Sequence, residues 1–357
     1  MRARGGSYPV RACDMSELYT GRLLPAKWAI QAQTGKVAMK SSIWAAACAV
    51  LALLWLDSGA AAQIKIRVGK AQAQQFAFVP VDVGIKAGIF KKHGVDIEIE
   101  NFAGDAKLLQ GLTAGSVDIA LGGGPTLAFI PKGTPMLGIA AIAGPPGTIM
   151  LVVLKNGPVK TEADLKGRTV SVSTKGSLTY WLAQELSRRN GWGNDGIKIA
   201  PLGSPIAQVA ALRTGQIDGV VTDSSTVFRI EEEGVGRILV RFGDRIKDFH
   251  VHAAFASKAM IAQHPDAIRA FLAAWFETIK YMETHKDETI AIASKVTGVS
   301  KTVSARNYDA VMPIFSRTGH FEPKALDVLA GSFVDMGALP TKPDMSKLYT
   351  EEFLPKP

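Results

Sequence analysis

Gly115-Ser116-Val117-Asp118-Ile119-Ala120-Leu121 and Gly215-Gln216-Ile217-Asp218-Gly219-Val220-Val221 decide how this chain is read. The two stretches lie 100 residues apart, and without a gap Leu112, Thr126 and Ile130 fall on Leu212, Thr226 and Ile230. In each copy a glycine suited to ending a helix precedes a short apolar run of strand length. Before the first copy, Asp105–Ala114 places Leu108, Leu109 and Leu112 on one helical face; before the second, Ile206–Thr214 reads as a helix. Strand–helix units share a general likeness. A gapless Gly-x-hydrophobic-Asp with matching flanks goes further and indicates two related lobes.

The same alternation continues outward. Ile64–Gly69, Val95–Ile99 and Val117–Leu121 read as strands, with Phe78–Lys92 a helix closed by Gly94. Gly122-Gly123-Gly124-Pro125-Thr126 reads as a turn into a further helix. In the second half Thr169–Ser173, Ile197–Ala200 and Ile217–Thr222 read as strands. Ser177–Asn190 reads as a helix burying Leu178, Trp181, Leu182 and Leu186. Strands alternating with helices predict an α/β fold, each lobe a mainly parallel sheet flanked by helices. From Lys258 onward helices dominate, Ala267–Tyr281 being the clearest amphipathic run. Thr148–Leu154 and Phe249–Ala256 are the expected hinge crossings, giving lobe 1 as residues 63–150 plus 255–357 and lobe 2 as 151–254.

The N-terminal stretch has another character. Residues 1–38 show no apolar periodicity and read as an upstream extension outside the functional product. Residues 39–62 read as a signal peptide: Lys40, then the uncharged run Ile43–Leu56, then the small residues Ala60-Ala61-Ala62. Cys48 lies inside that apolar run and reads as an ordinary small residue. Cleavage after Ala62 removes both cysteines, Cys13 and Cys48, leaving 34 basic against 29 acidic residues. A cysteine-free exported chain has no disulfide, thiolate zinc site or cysteine nucleophile, and it fits a bacterial periplasm.

Composition narrows the class further. The 357 residues are 47% apolar and 20% charged, as expected of a globular chain. Thirty-five glycines and 18 prolines follow no period, which excludes collagen-like and low-complexity classes. No apolar run reaches the ~18 residues of a membrane span, so a multi-span transporter is excluded. The net charge of +9 permits anionic partners without identifying one.

Gly88-Ile89-Phe90-Lys91-Lys92-His93-Gly94-Val95-Asp96-Ile97 resembles the opening motif of solute-binding proteins of the nitrate/sulfonate/taurine ABC-uptake type. Ala163-Asp164-Leu165-Lys166-Gly167-Arg168-Thr169-Val170, running into Lys175-Gly176-Ser177, resembles the same family, and the likeness spans residues 64–340. It implies a two-lobe type II periplasmic binding protein fold that closes on a ligand. It also implies an ABC permease and its cytoplasmic ATPase as partners. The related pyrimidine-precursor synthase carries a cysteine-rich iron motif that has no counterpart here.

In parallel α/β lobes, ligands sit beyond the carboxyl ends of the strands. The loops expected there supply Gln72, Gln74 and Phe76; Gly123, Gly124 and Thr126; Thr174, Lys175, Gly176 and Ser177; Ser204; and Asp223 with Ser224. Ser177 suits a helix cap, and Gly176 lets backbone approach a ligand. By its residues alone Ser177 is as well read as a cap as a ligand contact, and the resemblance favours contact. The glycine run offers amides at a helix start but lacks the ending of a P-loop. Asp223 suits a cap more than a ligand acceptor. Lys175 is the one fixed cation in these loops, which suit sulfonate, nitrate, an aromatic acid or a neutral heterocycle. His250 and His252 share a strand face without a third metal ligand, and no metal or cofactor is expected.

These features favour a periplasmic, monomeric receptor that captures a small organic or oxyanionic solute, with no nucleic-acid partner and no membrane span in the mature chain. The alternatives are a lyase- or synthase-type enzyme on the same fold and the sensing domain of a regulator. The latter needs a DNA-binding segment that residues 1–62 do not supply. The signal architecture predicts a mature chain beginning at Gln63, measurable as intact mass of the exported protein; a soluble species retaining Arg2–Lys36 contradicts it.

Overall fold

The computed structural model describes residues 63–356. The expectations for residues 1–38 and 39–62, with Cys13 and Cys48, lie outside the described residues. The strands form two five-stranded sheets. The first contains β1 (Ile64–Lys70), β2 (Val95–Asn101), β3 (Ile119–Gly123), β4 (Met136–Ala143) and β10 (His252–Ser257), in the order β2-β1-β3-β10-β4. The second contains β5 (Ile149–Leu154), β6 (Thr169–Val172), β7 (Lys198–Pro201), β8 (Gly219–Asp223) and β9 (Gly236–Arg241), in the order β7-β6-β8-β5-β9. Each sheet is mixed. β10 runs antiparallel between β3 and β4, and β5 runs antiparallel between β8 and β9.

The expected crossings at 148–154 and 249–256 therefore need correction. Ile149–Leu154 and His252–Ser257 are full strands, and the passages between sheets are the segments 144–148 and 242–251. Both strands satisfy backbone groups on two sides, so neither is a free connector.

Helices flank both sheets: α1 (Val79–Lys86), α2 (Ile89–Lys92), α3 (Asp105–Thr113), α4 (Leu178–Arg189), α5 (Pro205–Arg213) and α6 (Ser224–Glu232). The single helix expected over Phe78–Lys92 is broken. Gly88 stands at φ 73°, a left-handed position that glycine adopts freely and that ends α1 before α2 begins. The helix expected after the glycine run is only a 3₁₀ turn over Gly124–Phe129. Strand β3 extends two residues further than its apolar run because Gly122 and Gly123 pair with Ala253 and His252 of β10.

The C-terminal region is helical: α7 (Lys258–Gln263), α8 (Pro265–Thr284), α9 (Lys286–Thr297), α10 (Lys301–Val311) and α11 (Pro323–Asp335). Helix α8 buries Ile268, Phe271, Leu272, Trp275 and Ile279 on one stripe, and Phe271 stacks on Phe90 of α2 at 5.5 Å. Among the described residues no helix is long and apolar enough to cross a membrane.

The repeat in the sequence has a physical counterpart. Asp118 accepts hydrogen bonds from the Arg67 backbone N–H at 2.9 Å, from Arg67 Nε at 3.0 Å and from Arg67 Nη2 at 2.6 Å. Asp218 accepts from the Thr169 N–H at 2.9 Å and from Arg168 Nη1 at 3.3 Å. This aspartate ties the start of β3 to β1 in the first sheet and the start of β8 to β6 in the second. Charge-assisted bonds of this kind stabilise by roughly 1.5–3 kcal/mol. Asp118→Ala is expected to cost about 2–3 kcal/mol in urea denaturation and Asp218→Ala about 1–2 kcal/mol, since its arginine contact is single and longer. Equal, near-zero losses contradict this reading.

Candidate functional site

The carboxyl ends of β1, β3, β6 and β8 bring both sheets to one small cavity of about 20 Å³, room for about one water molecule. The first sheet contributes Gln72, Gln75, Gly104, Asp105, Gly123 and His252. Ile149, Ser173, Leu178, Thr179 and Asp223 come from the second. The strand register explains four of these positions. His252 pairs directly with Gly123, and Ile149 directly with Asp223. Each antiparallel strand thus begins at the cavity, opposite the last residue of the central parallel strand.

Glycine sets the closeness of approach. Gly104 holds φ 109°, and a Cβ there would stand 2.6 Å from Thr174 Cγ2 across the cleft. A Cβ on Gly123 would stand 3.2 Å from Leu178 Cβ. Any larger residue at Gly104 forces the sheets apart.

Two carboxylates face the cavity, one from each sheet. Asp105 opens α3 and accepts from the Gly123 N–H at 2.8 Å. Asp223 caps α6, accepting from the Ser225 N–H at 2.9 Å. Burial pushes both above the usual carboxylate range, the backbone hydrogen bonds offsetting part of that effect. Neither forms an ion pair with any cation among the described residues. His252 is 2% exposed, and burial pushes its pKa down to about 3. The ring is therefore neutral, with Gln75 Nε2 2.8 Å from its Nε2 and Phe78 edge-on at 5.0 Å. His250 points elsewhere. Its Nε2 accepts from the Glu322 N–H at 2.9 Å, and burial lowers its pKa to about 4. Among the described residues no group of three metal-ligating side chains converges.

Of the residues expected from sequence, Gln72, Gly123 and Asp223 line the cavity. Gln74 is half-buried nearby, and Phe76 is buried in a 3₁₀ turn. The Gly123 and Gly124 amides, expected to be open to a ligand, are engaged: Gly123 donates to Asp105 and Gly124 to the Val251 carbonyl at 3.1 Å. Thr126 is buried below Gly122. Thr174 lies on the rim against Gly104, and Gly176, at φ 77°, lies against Phe129. Lys175 is exposed, outside the cavity.

Ser177 caps α4, accepting from the Tyr180 N–H at 3.3 Å. Its hydroxyl also lies 3.0 Å from both Ser173 Oγ and Thr179 Oγ1, so the trio binds inward. Ser204 caps α5 by accepting from the Ala207 N–H at 3.4 Å. Ser224 is buried within α6.

Asp105, Thr179 and His252 lie outside the loops expected at the cleft. Asp105 carried one usable signal: it follows Gly104 at a helix start, 18 residues before the matching Gly123. His252 carried none, because its place depends on β10 entering a sheet that was formed more than 100 residues earlier.

Wider grooves exist. One of about 550 Å³ is lined by Lys65, Arg67, Asp118 and Ser257. Its lining belongs to the first sheet and the helices and loops packed on it, so relative movement of the sheets cannot enclose anything there.

Burial of His252 has a consequence for acid stability. A histidine with a folded pKa near 3 and an unfolded pKa near 6.5 binds protons only in the unfolded chain between those values. Its contribution is complete above pH 6.5 and is lost as the pH falls toward 3. At pH 5 the loss is about 2 kcal/mol. Asp105 and Asp223, raised in the fold, shift stability in the opposite sense as they protonate. Comparison with His252→Gln isolates the histidine: the variant is expected to lose about 2 kcal/mol less than the parent between pH 7 and 5 in denaturant titrations. Parallel pH profiles contradict a buried neutral ring.

Known proteins share this architecture. A Brucella abortus protein named as a binding protein is 27% identical over 256 residues, 70% of this chain and 77% of its own. The solved alkanesulfonate-binding protein SsuA of Xanthomonas axonopodis, bound to MOPS, superposes with a TM-score of 0.70 at 18% identity, covering 80% of this chain and 98% of that one. The periplasmic nitrate-binding protein NrtA of Synechocystis superposes with a TM-score of 0.67 at 16% identity, covering 81% and 86%. These likenesses establish the periplasmic-binding-protein fold. The model of the family described as NMT1/THI5 like matches residues 75–289, the span from the first cleft loop into the C-terminal helices, and this chain belongs to that family.

Proposed function

We propose that this protein is the extracytoplasmic solute-binding component of an ABC importer. It captures a small organic or oxyanionic solute between two lobes, residues 63–143 with 252–357 and residues 149–241, and delivers it to a permease with a cytoplasmic ATPase. The observation that carries this reading is the cavity to which both sheets bring their strand ends. A site divided between two bodies opens and closes as they separate and approach. The named binding functions of the structural neighbours support the same reading.

The alternative is an enzyme on this fold. Among the described residues no serine hydroxyl is hydrogen-bonded to a histidine, and a ring with a pKa near 3 is a weak base at neutral pH. The direct test is to denature the protein purified from its native cells and identify the released solute by mass spectrometry. A transported compound, stable on incubation with the refolded protein, supports a receptor; a compound converted on incubation supports the enzyme.

Contacts across the cleft set how far the lobes stay together. Arg188 of α4 reaches the end of α11, with Nη2 3.0 Å from Asp335 Oδ2 and Nη1 3.2 Å from the Asp335 carbonyl. On another flank Arg306 of α10 pairs with Glu231 of α6 at 2.9 Å. Exposed pairs contribute roughly 0–1 kcal/mol each. Arg188→Gln with Arg306→Gln is expected to shift the open population about tenfold, read as a larger radius of gyration in small-angle scattering. An unchanged radius contradicts hinged lobes held by these pairs.

A further inference from the structure

The cavity between the sheets has an unusual charge balance. Its titratable side chains are Asp105 at 6% exposure, Asp223 at 4% and His252 at 2%, and no lysine or arginine lines it. Lys175, the nearest cation expected from the sequence, is exposed and outside the lining. Lys70, which is buried at the end of β1, is committed to Asp82 at 2.7 Å. His252 supplies no positive charge, and its Nδ1 meets no hydrogen-bond partner.

Three of the donors that would hold an anion are engaged. Gly123 N–H is given to Asp105, Ser225 N–H to Asp223 and Tyr180 N–H to Ser177. An oxyanion placed here would face two buried carboxylates and no cation. Burial of like charges without a counter-charge is strongly unfavourable. A cationic N–H donor suits the site better: it offers hydrogen bonds to both carboxylates and neutralises the site.

Resting on the receptor reading, we infer that the cavity between Asp105 and Asp223 takes the protonated nitrogen of an organic solute, a primary ammonium or an amidinium group, in place of an oxyanion. The two carboxylates come one from each sheet, so a bound cation also bridges the lobes. Ligand charge and lobe closure are thereby coupled. Convergence of metal ligands does not explain the pair, since no third ligand of that kind joins it among the described residues.

The test is calorimetric titration of the full chain at pH 7.5 with matched probes. The cations are ethylammonium, acetamidinium and benzamidinium; the anions are nitrate, ethanesulfonate and benzenesulfonate. Asp105→Asn and Asp223→Asn keep an acceptor oxygen for Gly123 and Ser225 while removing the charge; Asp248→Asn, at an exposed position, is the charge control. Binding by cations only, weakened about 100-fold in the two cleft variants and unchanged in the control, is the expected result. Binding by anions, retained or tightened in the cleft variants, overturns the inference and leaves the receptor intact. Binding by neither set overturns the inference, and the receptor reading then rests on the solute recovered from native cells. Should either variant fail to fold, the parent's choice between the two probe sets still decides the question.

Discussion

Each sheet is completed by a strand that arrives from the other one, and most of what matters in this molecule depends on that exchange. β5 enters the second sheet antiparallel between β8 and β9, and β10 returns antiparallel between β3 and β4. Because both neighbours bond to it, neither strand can be withdrawn without exposing two rows of backbone groups. The two passages are consequently anchored at both ends. These passages are the segments 144–148 and 242–251. The exchange also fixes what faces the cavity, since His252 and Ile149 are the entry residues of the returning strands.

The cleft shows how a buried polar site survives between two hydrophobic cores. Hydroxyls and carboxylates are arranged so that three helix starts of the second lobe supply their own caps: Ser177 for α4, Ser204 for α5 and Asp223 for α6. Capping uses the amides that a sequence reading assigns to an anion. The carboxyl groups left without a counter-cation, Asp105 and Asp223, stand one on each body. Asp118 and Asp218 are the contrasting case, aspartates at repeated positions whose charge is met by arginine within the same lobe. The repeat thus separates two uses of one residue type, a structural clasp at the start of a strand and an uncompensated group at its end or beyond.

The enzyme and receptor readings differ in what they ask of the titratable groups. Catalysis asks for a base poised near the working pH. The ring at His252 is held neutral by burial and turned toward Gln75, which suits it to accept or donate one hydrogen bond and little else. The carboxylates are displaced upward by burial, so their ionisation is sensitive to whatever enters between them. A receptor uses that sensitivity as selectivity: a solute that restores the charge balance stabilises the joined lobes, and one that does not leaves them apart.

The order of strands and helices was legible because it is written in short-range terms. Leu108, Leu109 and Leu112 share a face at helical spacing, Ser177 and Ser204 sit where caps are needed, and the Gly115 and Gly215 repeats mark equivalent turns. The α/β class and the family likeness follow from the same local signals. Among the cleft residues, Gln72, Gly123 and Asp223 were found because loops after strands point toward ligands. Long-range placement decided the rest. Strand β3 runs through Gly122 and Gly123 only because β10 is there to pair with them. Phe78–Lys92 breaks at Gly88 because the fold takes the left-handed conformation that the glycine permits. Asp105 and His252 meet across residues far apart in sequence, and their ionisation depends on burial that no local spacing specifies. Hydrophobic period and capping act over a few residues and are carried by the chain itself; the charge of the cleft arises from which distant segments exclude water together.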